Sequence, residues 1–157
     1  MSARPAWGRA GLVQAGVLVV DQVSKLLVRG GMERGEEDPI LPGLKLVHVR
    51  NEGVAFGLDP GGGTTLLIVL VALALLALVL YFVRHQAKPL VWLPVGLLIG
   101  GAVGNLVDRV RDGGVTDFLK IPLWPAFNVA DMAITFGVIA LIYVLEGPPS
   151  RRGADAG

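Results

Sequence analysis

Cysteine is absent from all 157 residues. Disulfides, thiolate metal sites and thiol nucleophiles are thereby excluded, and the redox compartment is left open. Serine is confined to Ser2, Ser24 and Ser150. Ser2 and Ser150 lie in terminal segments. Ser24 adjoins Lys25, but helical neighbours at i and i+1 do not face each other, so the pair makes no Ser/Lys dyad. Histidine is limited to His48 and His85, and no HExxH occurs, which removes zincin chemistry. Charge is scarce too: Asp, Glu, Lys and Arg make up 17% of the chain, against about 25% in soluble domains. The net charge of +1 and the lack of a basic face argue against a nucleic-acid partner. No internal repeat is evident.

Apolar residues fill the space, at 53% of the chain with a mean hydropathy of +0.63. Thr64 to Val83 carries no charge and is roughly 30 Å long as a helix, enough to cross a hydrocarbon core. Three further spans are expected, at about 9–28, 90–108 and 128–146. The first is apolar through Val20 and then meets Asp21, Gln22 and Lys25. Asp21 and Lys25 are four apart, on one helical face, and can neutralise each other inside a bundle. A cleaved signal peptide is the alternative for this segment, but no small-x-small site follows the apolar run. The expected fold is an all-α membrane protein of four transmembrane helices, with a small extracytoplasmic β-sheet or hairpin between helices 1 and 2. Residues 1–146 form one domain, the outer loop runs over 30–63, and 147–157 is a disordered cytoplasmic tail. Arg4 and Arg9, Arg84 and Lys88, and Arg151 and Arg152 share one side, which the positive-inside rule makes cytoplasmic. Both termini are therefore expected inside. In the outer loop Leu44 to Val49 is β-prone and the surrounding Gly and Pro are turn signals. Asp112 to Phe127 forms the second outer connection, with DGG as a turn and Trp124 at headgroup level.

Polar residues gather at the facing ends of spans three and four: Asn105, Asp108, Arg109, Asp117, Asn128 and Asp131. A carboxylate at membrane depth costs roughly 2.5–3.5 kcal/mol on insertion scales, so such groups face a bundle interior and do chemistry or transport. Two carboxylates held close cannot both ionise cheaply; one keeps a proton while the other acts as base. With Cys, Ser and metal motifs missing, Asp117 and Asp131 are read as such a pair, activating water against an amide. Asn128 can N-cap the fourth span and place Asp131 in its first turn, where the helix dipole favours negative charge. Simpler roles exist: Asp117 as a solvated loop acid, Asp131 as a dipole complement, Asp108 and Arg109 as a snorkelling pair. Asp108 is not excluded from the catalytic pair by sequence. The glycines of GLLIGGAVGN point to close helix packing. A proton-coupled carrier using Asp21, Lys25 and Asp131 is the competing class, a structural assembly factor a third, and a metal-dependent hydrolase on Asp108, Asp112, Asp117 and Asp131 a fourth.

DQVSK (Asp21 to Lys25), NEGVAFG (Asn51 to Gly57), GGAVGNLVDR (Gly100 to Arg109), VTDF (Val115 to Phe118) and FNVAD (Phe127 to Asp131) occur in order. Together they resemble the motif set of lipoprotein signal peptidase, the bacterial signal peptidase II family, over roughly residues 10–146. That resemblance implies a four-helix inner-membrane aspartyl endopeptidase. Its substrates would be diacylglyceryl-modified prolipoproteins, cut just before the lipidated cysteine. By motif, Asp117 and Asp131 would be catalytic. Asn105, Asp108, Arg109 and Asn128 would support substrate and dyad, Asn51 and Gly53 would belong to the substrate-cradling sheet, and Asp21 and Lys25 would be structural. No metal or cofactor is implied. Membrane lipids are the surroundings, globomycin-type antibiotics the expected inhibitors, a monomer the expected state, and the outer leaflet the side of the active site. The Gly-rich outer loop would act as a lid. Departures are small: Met132 stands where a small residue is usual, Val54 where Ala is frequent, and the connection from Asp117 to Asp131 is short.

Overall fold

The computed structural model describes residues 3–52 and 62–146. Gly53 to Gly57 of the NEGVAFG motif, the 53–61 part of the expected lid and the tail from 147 lie outside the described residues. Among the described residues there are four helices: α1 (Ala3–Gly31), α2 (Gly62–His85), α3 (Trp92–Asp112) and α4 (Val129–Glu146). Each has a stretch long and apolar enough to cross a membrane. In hydrocarbon a backbone must satisfy its own polar groups, which is why uninterrupted apolar runs take this form. Helix α2 is apolar all round and leaves Leu66, Leu70, Leu73, Leu76 and Leu80 exposed, as lipid-facing side chains are. Pro94 is accommodated in the first turn of α3, where its missing N–H is not needed.

Helix α3 is central and packs most extensively against α1 and α4. Its buried face is small: Gly96, Gly100, Gly101 and Gly104, followed by Asn105 and Asp108. A Cβ at Gly96 would stand 2.7 Å from the Ala10 carbonyl oxygen, and one at Gly101 only 2.5 Å from that of Ala130. The glycines thus let the helix backbones meet, as small residues do in membrane bundles. Helix α2 is tied on at the far end from the sheet, through Phe82, Val91, Val95, Ala6 and Ala10, with the Trp7 ring edge-on to Phe82 at 4.6 Å.

A three-stranded antiparallel sheet caps the other end, in the order β1 (Glu37–Leu41), β2 (Leu44–Asn51), β3 (Val115–Lys120). The first two strands are the hairpin expected between helices 1 and 2. The third comes from the connection between α3 and α4, so Asp117 lies within a strand and not in a solvated loop. Gly113 in the left-handed region (φ +71°) ends α3, its N–H bonded to the Arg109 carbonyl at 3.0 Å, and the chain turns directly into β3. Arg50 of β2 donates to the carbonyl of Asp112 at that helix end. The β2–β3 register sets Val49 opposite Asp117 and Asn51 opposite Val115. Glu37 bridges Lys45 at 2.8 Å and Lys120 at 2.6 Å, one acid across all three strands. Those two ammonium groups, Lys120 foremost, pull the Glu37 carboxyl down to about 2.

Candidate active site

The start of α4 is organised by Asn128. Its Oδ1 accepts the Asp131 N–H at 3.0 Å, the expected N-cap bond. Asp131 answers in kind: its Oδ2 accepts the Asn128 N–H at 3.1 Å. The exchange is a capping box with aspartate in the reciprocal place. Asp131 Oδ1 accepts from Asn105 Nδ2 at 2.8 Å. This carboxylate, half-buried in the first turn, therefore receives a donor on each oxygen and the positive end of the helix dipole.

Asp117 meets Asp131 through the same residue. Asn128 Nδ2 donates to Asp117 Oδ1 at 2.7 Å, and Asn51 Nδ2 donates to Asp117 Oδ2 at 3.1 Å. The side chain comes from β3, pairs across to β2 and is 2% exposed. Burial is the main reason its carboxyl is pushed up to about 6; Asp131 adds to the rise, while the bonds from Asn51 and Asn128 and the charge of Lys25 oppose it. The two aspartates thus occupy different settings, one buried on a strand and the other half-buried at a helix N-terminus.

Beneath them lies a buried polar cluster. Lys25 Nζ reaches Asp21 Oδ2 at 2.8 Å, Asp108 Oδ2 at 3.0 Å and Asn105 Oδ1 at 2.9 Å. Lys25, Asp21 and Asp108 are fully buried, so the mutual neutralisation expected of Asp21 and Lys25 holds and includes a third partner. Asp108 also accepts the Thr116 N–H at 3.3 Å and Gln22 Nε2 at 3.1 Å. It is not a snorkelling group paired with Arg109, because the helix turns it toward α1. Asp21 Oδ1 accepts the Ala130 N–H at 2.9 Å and so caps α4 from across the bundle. Gly104 makes room for this: a Cβ there would be 2.7 Å from Asp21 Oδ2. Arg109 donates to the Asn105 carbonyl at 3.3 Å, and among the described residues forms no ion pair. Gly53 cannot be placed, since it lies outside the described residues.

Comparison with known proteins adds an independent observation. The family described as Signal peptidase (SPase) II matches residues 13–146. The chain belongs to this family. Signal peptidase II proteins are aspartic-type peptidases, so this chain is an enzyme, a hydrolase of that type, and a multi-pass bacterial membrane protein. Among curated relatives, a lipoprotein signal peptidase of Moorella thermoacetica is 41% identical over 140 residues, covering 88% of this chain and 93% of its own. One from Geobacter metallireducens is 40% identical over 161 residues, covering 97% and 99%. Two solved bacterial membrane enzymes superpose with a TM-score of 0.80 each. They are 34% and 30% identical and cover 88% and 96% of this chain and 92% and 95% of their own.

Gln22, Arg29 and Thr116 were not read as site residues from the sequence of this signal peptidase II protein. Gln22 donates to Asp21, to the Gly104 carbonyl and to Asp108. Arg29 reaches Asp112 at 3.2 Å and Thr116 Oγ1 at 3.3 Å. For Gln22 and Arg29 the signal was available, since they lie three residues before and four after Lys25 on α1; for Thr116, on β3, helical spacing gave none. Two further concavities are present among the described residues, of which one is lined in part by Asp117. One of 460 Å³ is lined by Val49, Asn51, Glu52, Asp117, Pro125 and Ala126. The other, of 270 Å³, lies among α2, α3 and α4 and includes Leu98, Ala102 and Ile134. Ala102 and Ile134 are each three residues from Asn105 and Asp131, one helical turn along the same faces. A larger concavity, 1010 Å³, lies elsewhere, between the β1–β2 turn and residues 121–125.

Proposed function

We propose that this enzyme removes the signal peptide from diacylglyceryl-modified prolipoproteins, cutting just before the lipidated cysteine, with Asp117 and Asp131 activating the water. The observation that carries the reading is Asn128, which donates to both carboxylates and holds a strand aspartate beside a helix aspartate. Asp131, with donors on both oxygens, suits the ionised base that takes a proton from water as the hydroxide adds to the scissile carbonyl. Asp117, whose carboxyl is raised to about 6 by burial, suits the proton holder: it donates to the developing oxyanion and then passes its proton to the leaving nitrogen. The proton gained by Asp131 resets the pair.

Asn51, Asn105 and Arg109 stand where they can hold peptide carbonyls, and Gly53 belongs to the same motif as Asn51. The apolar concavity one turn deeper matches an acyl chain or the apolar signal segment, which explains why the site sits between membrane helices. By the positive-inside bias the sheet end faces outward, with both termini in the cytoplasm and the protein in the bacterial inner membrane. A monomer, without metal or cofactor and sensitive to globomycin-type inhibitors, completes the reading.

The test is cleavage of a diacylglyceryl-modified prolipoprotein by purified protein in lipid. Wild type shortens the substrate; Asp117→Asn and Asp131→Asn each lower the rate by several orders of magnitude, on the order of the 10⁴ lost from other catalytic groups. Asp38→Asn, an exposed acid on β1, stays near wild type. Cleavage that survives either dyad change refutes the assignment, and a wild type that never cuts refutes the reaction.

A further inference from the structure

Lys25 is buried and bonds to neither Asp117 nor Asp131, so no step above uses it. We infer that Lys25 is a positioning residue for the dyad: by occupying Asn105 Oδ1 it compels the Asn105 amide nitrogen to donate to Asp131. The inference rests on Asp117 and Asp131 being the dyad.

The argument is one of donors and acceptors. An ammonium group has three donors and no acceptor. Lys25 places its three on Asp21 Oδ2, Asp108 Oδ2 and Asn105 Oδ1. The atom of Asn105 that lies 2.9 Å from Lys25 must therefore be oxygen, whichever way an amide is drawn. Its nitrogen then faces Asp131 Oδ1, 2.8 Å away, and donates. A flipped amide would set an NH₂ against the ammonium and a carbonyl oxygen against a carboxylate, two repulsions in a buried site.

Asn128 does not enforce this orientation equally well. Its Nδ2 has two hydrogens but three acceptors: Asp117 Oδ1 at 2.7 Å, Asn105 Oδ1 at 3.2 Å and the Thr116 carbonyl at 3.4 Å. The bond to Asp117 is the shortest, so Asn105 shares what remains. Asn128 itself is oriented by backbone, since its Oδ1 accepts the Asp131 N–H. Asn105 has only side chains to orient it, and Lys25 is the nearer. Charge balance alone does not explain the choice of partner. Asp21 and Asp108 already face Lys25, and Arg29 stands 3.8 Å from Asp108; the third donor goes to a neutral amide whose other end touches Asp131.

The experiment is a double-mutant cycle on kcat and KM for the diacylglyceryl-prolipoprotein, using monodisperse protein in lipid. Lys25→Met removes the donor and the charge, whereas Lys25→Gln removes the charge but restores an N–H donor. Lys25→Met is expected to lower kcat about 10- to 100-fold, the usual scale for groups that orient a catalytic ligand, with KM within about twofold. Lys25→Gln retains substantially more of kcat than Lys25→Met. In an Asn105→Ala background the Lys25 changes cost little further, because the group they orient is gone. Multiplicative losses in the cycle, or equal losses for Lys25→Met and Lys25→Gln, overturn the inference and leave Lys25 a structural counter-ion. If Lys25→Met does not fold, Lys25→Gln with and without Asn105→Ala decides alone: a loss confined to the Asn105 background supports the role, and the same loss in both refutes it. Wild type that leaves the substrate intact, or Asp131→Asn that cuts it, refutes the dyad reading instead.

Discussion

Replacing Asp117 by Asn should stabilise the fold relative to wild type as pH rises, while abolishing cleavage. Asp117 is 2% exposed, and its carboxyl is raised from 3.8 to about 6, chiefly by burial. A folded-state value above the unfolded one means the folded protein holds this proton more tightly. Its contribution to stability is complete below the unfolded value and is lost as pH climbs through the folded one. At about pH 4 the difference costs wild type only about 0.5 kcal/mol; by about pH 7.5 the two-unit shift is fully expressed, at about 3 kcal/mol. Asparagine does not titrate. Whatever the substitution does to the bonds from Asn51 and Asn128, that effect is the same at both pH values and cancels in the comparison. The variant should therefore gain about 2.5 kcal/mol on wild type between these pH values, which for a chain of this size is about 5–10 °C in Tm. Thermal unfolding of both proteins in the same detergent, at the two pH values, measures it. A Tm difference that stays constant with pH, or moves the other way, refutes the view that Asp117 is a desolvated acid.

The same value shapes the rate. If Asp117 must carry a proton, kcat/KM falls as pH rises through and above about 6, and a profile flat across that region removes Asp117 as the acid. Gly101→Ala sets a Cβ 2.5 Å from the Ala130 backbone oxygen and 2.8 Å from Ile134. Overpacking of this kind costs about 1–3 kcal/mol, and because it displaces the turn that carries Asp131, both Tm and kcat should drop. Gly16→Ala has nothing within 4 Å of the new Cβ and should change neither; equal effects from the two substitutions would remove close packing as the explanation.

Membrane helices were legible because hydrocarbon permits few structures: Thr64 to Val83 had no other way to satisfy its backbone. The N-cap by Asn128 and the Asp21–Lys25 pair were legible for a related reason, being local and set by three- and four-residue helical spacing. The pair Asp117 and Asp131 followed from the shortage of other chemistry and from ordered motifs. Spacing said nothing of what Asp108 and Asp117 face, because that depends on which way α3 is turned and on where β3 runs. Asp108 rotates toward Lys25 of α1 and is consumed there, whereas Asp117 is carried by a strand back beside α4.

That strand was the feature hidden from sequence. VTDFLK is short, and its partner β2 lies more than sixty residues away; only the convergence of the ends of α1, α3 and α4 brings the two together. The roles of Gln22, Arg29 and Thr116 depend on the same convergence. Membrane class, the four helices, their local caps and the stock of groups available for chemistry follow from composition and short-range periodicity, and so could be read along the chain. Tertiary structure alone decided which acid faces which donor, because hydrogen bonds between Asn128, Asn105, Lys25 and the two aspartates join elements distant along the chain, and their directions exist only once the helices have packed.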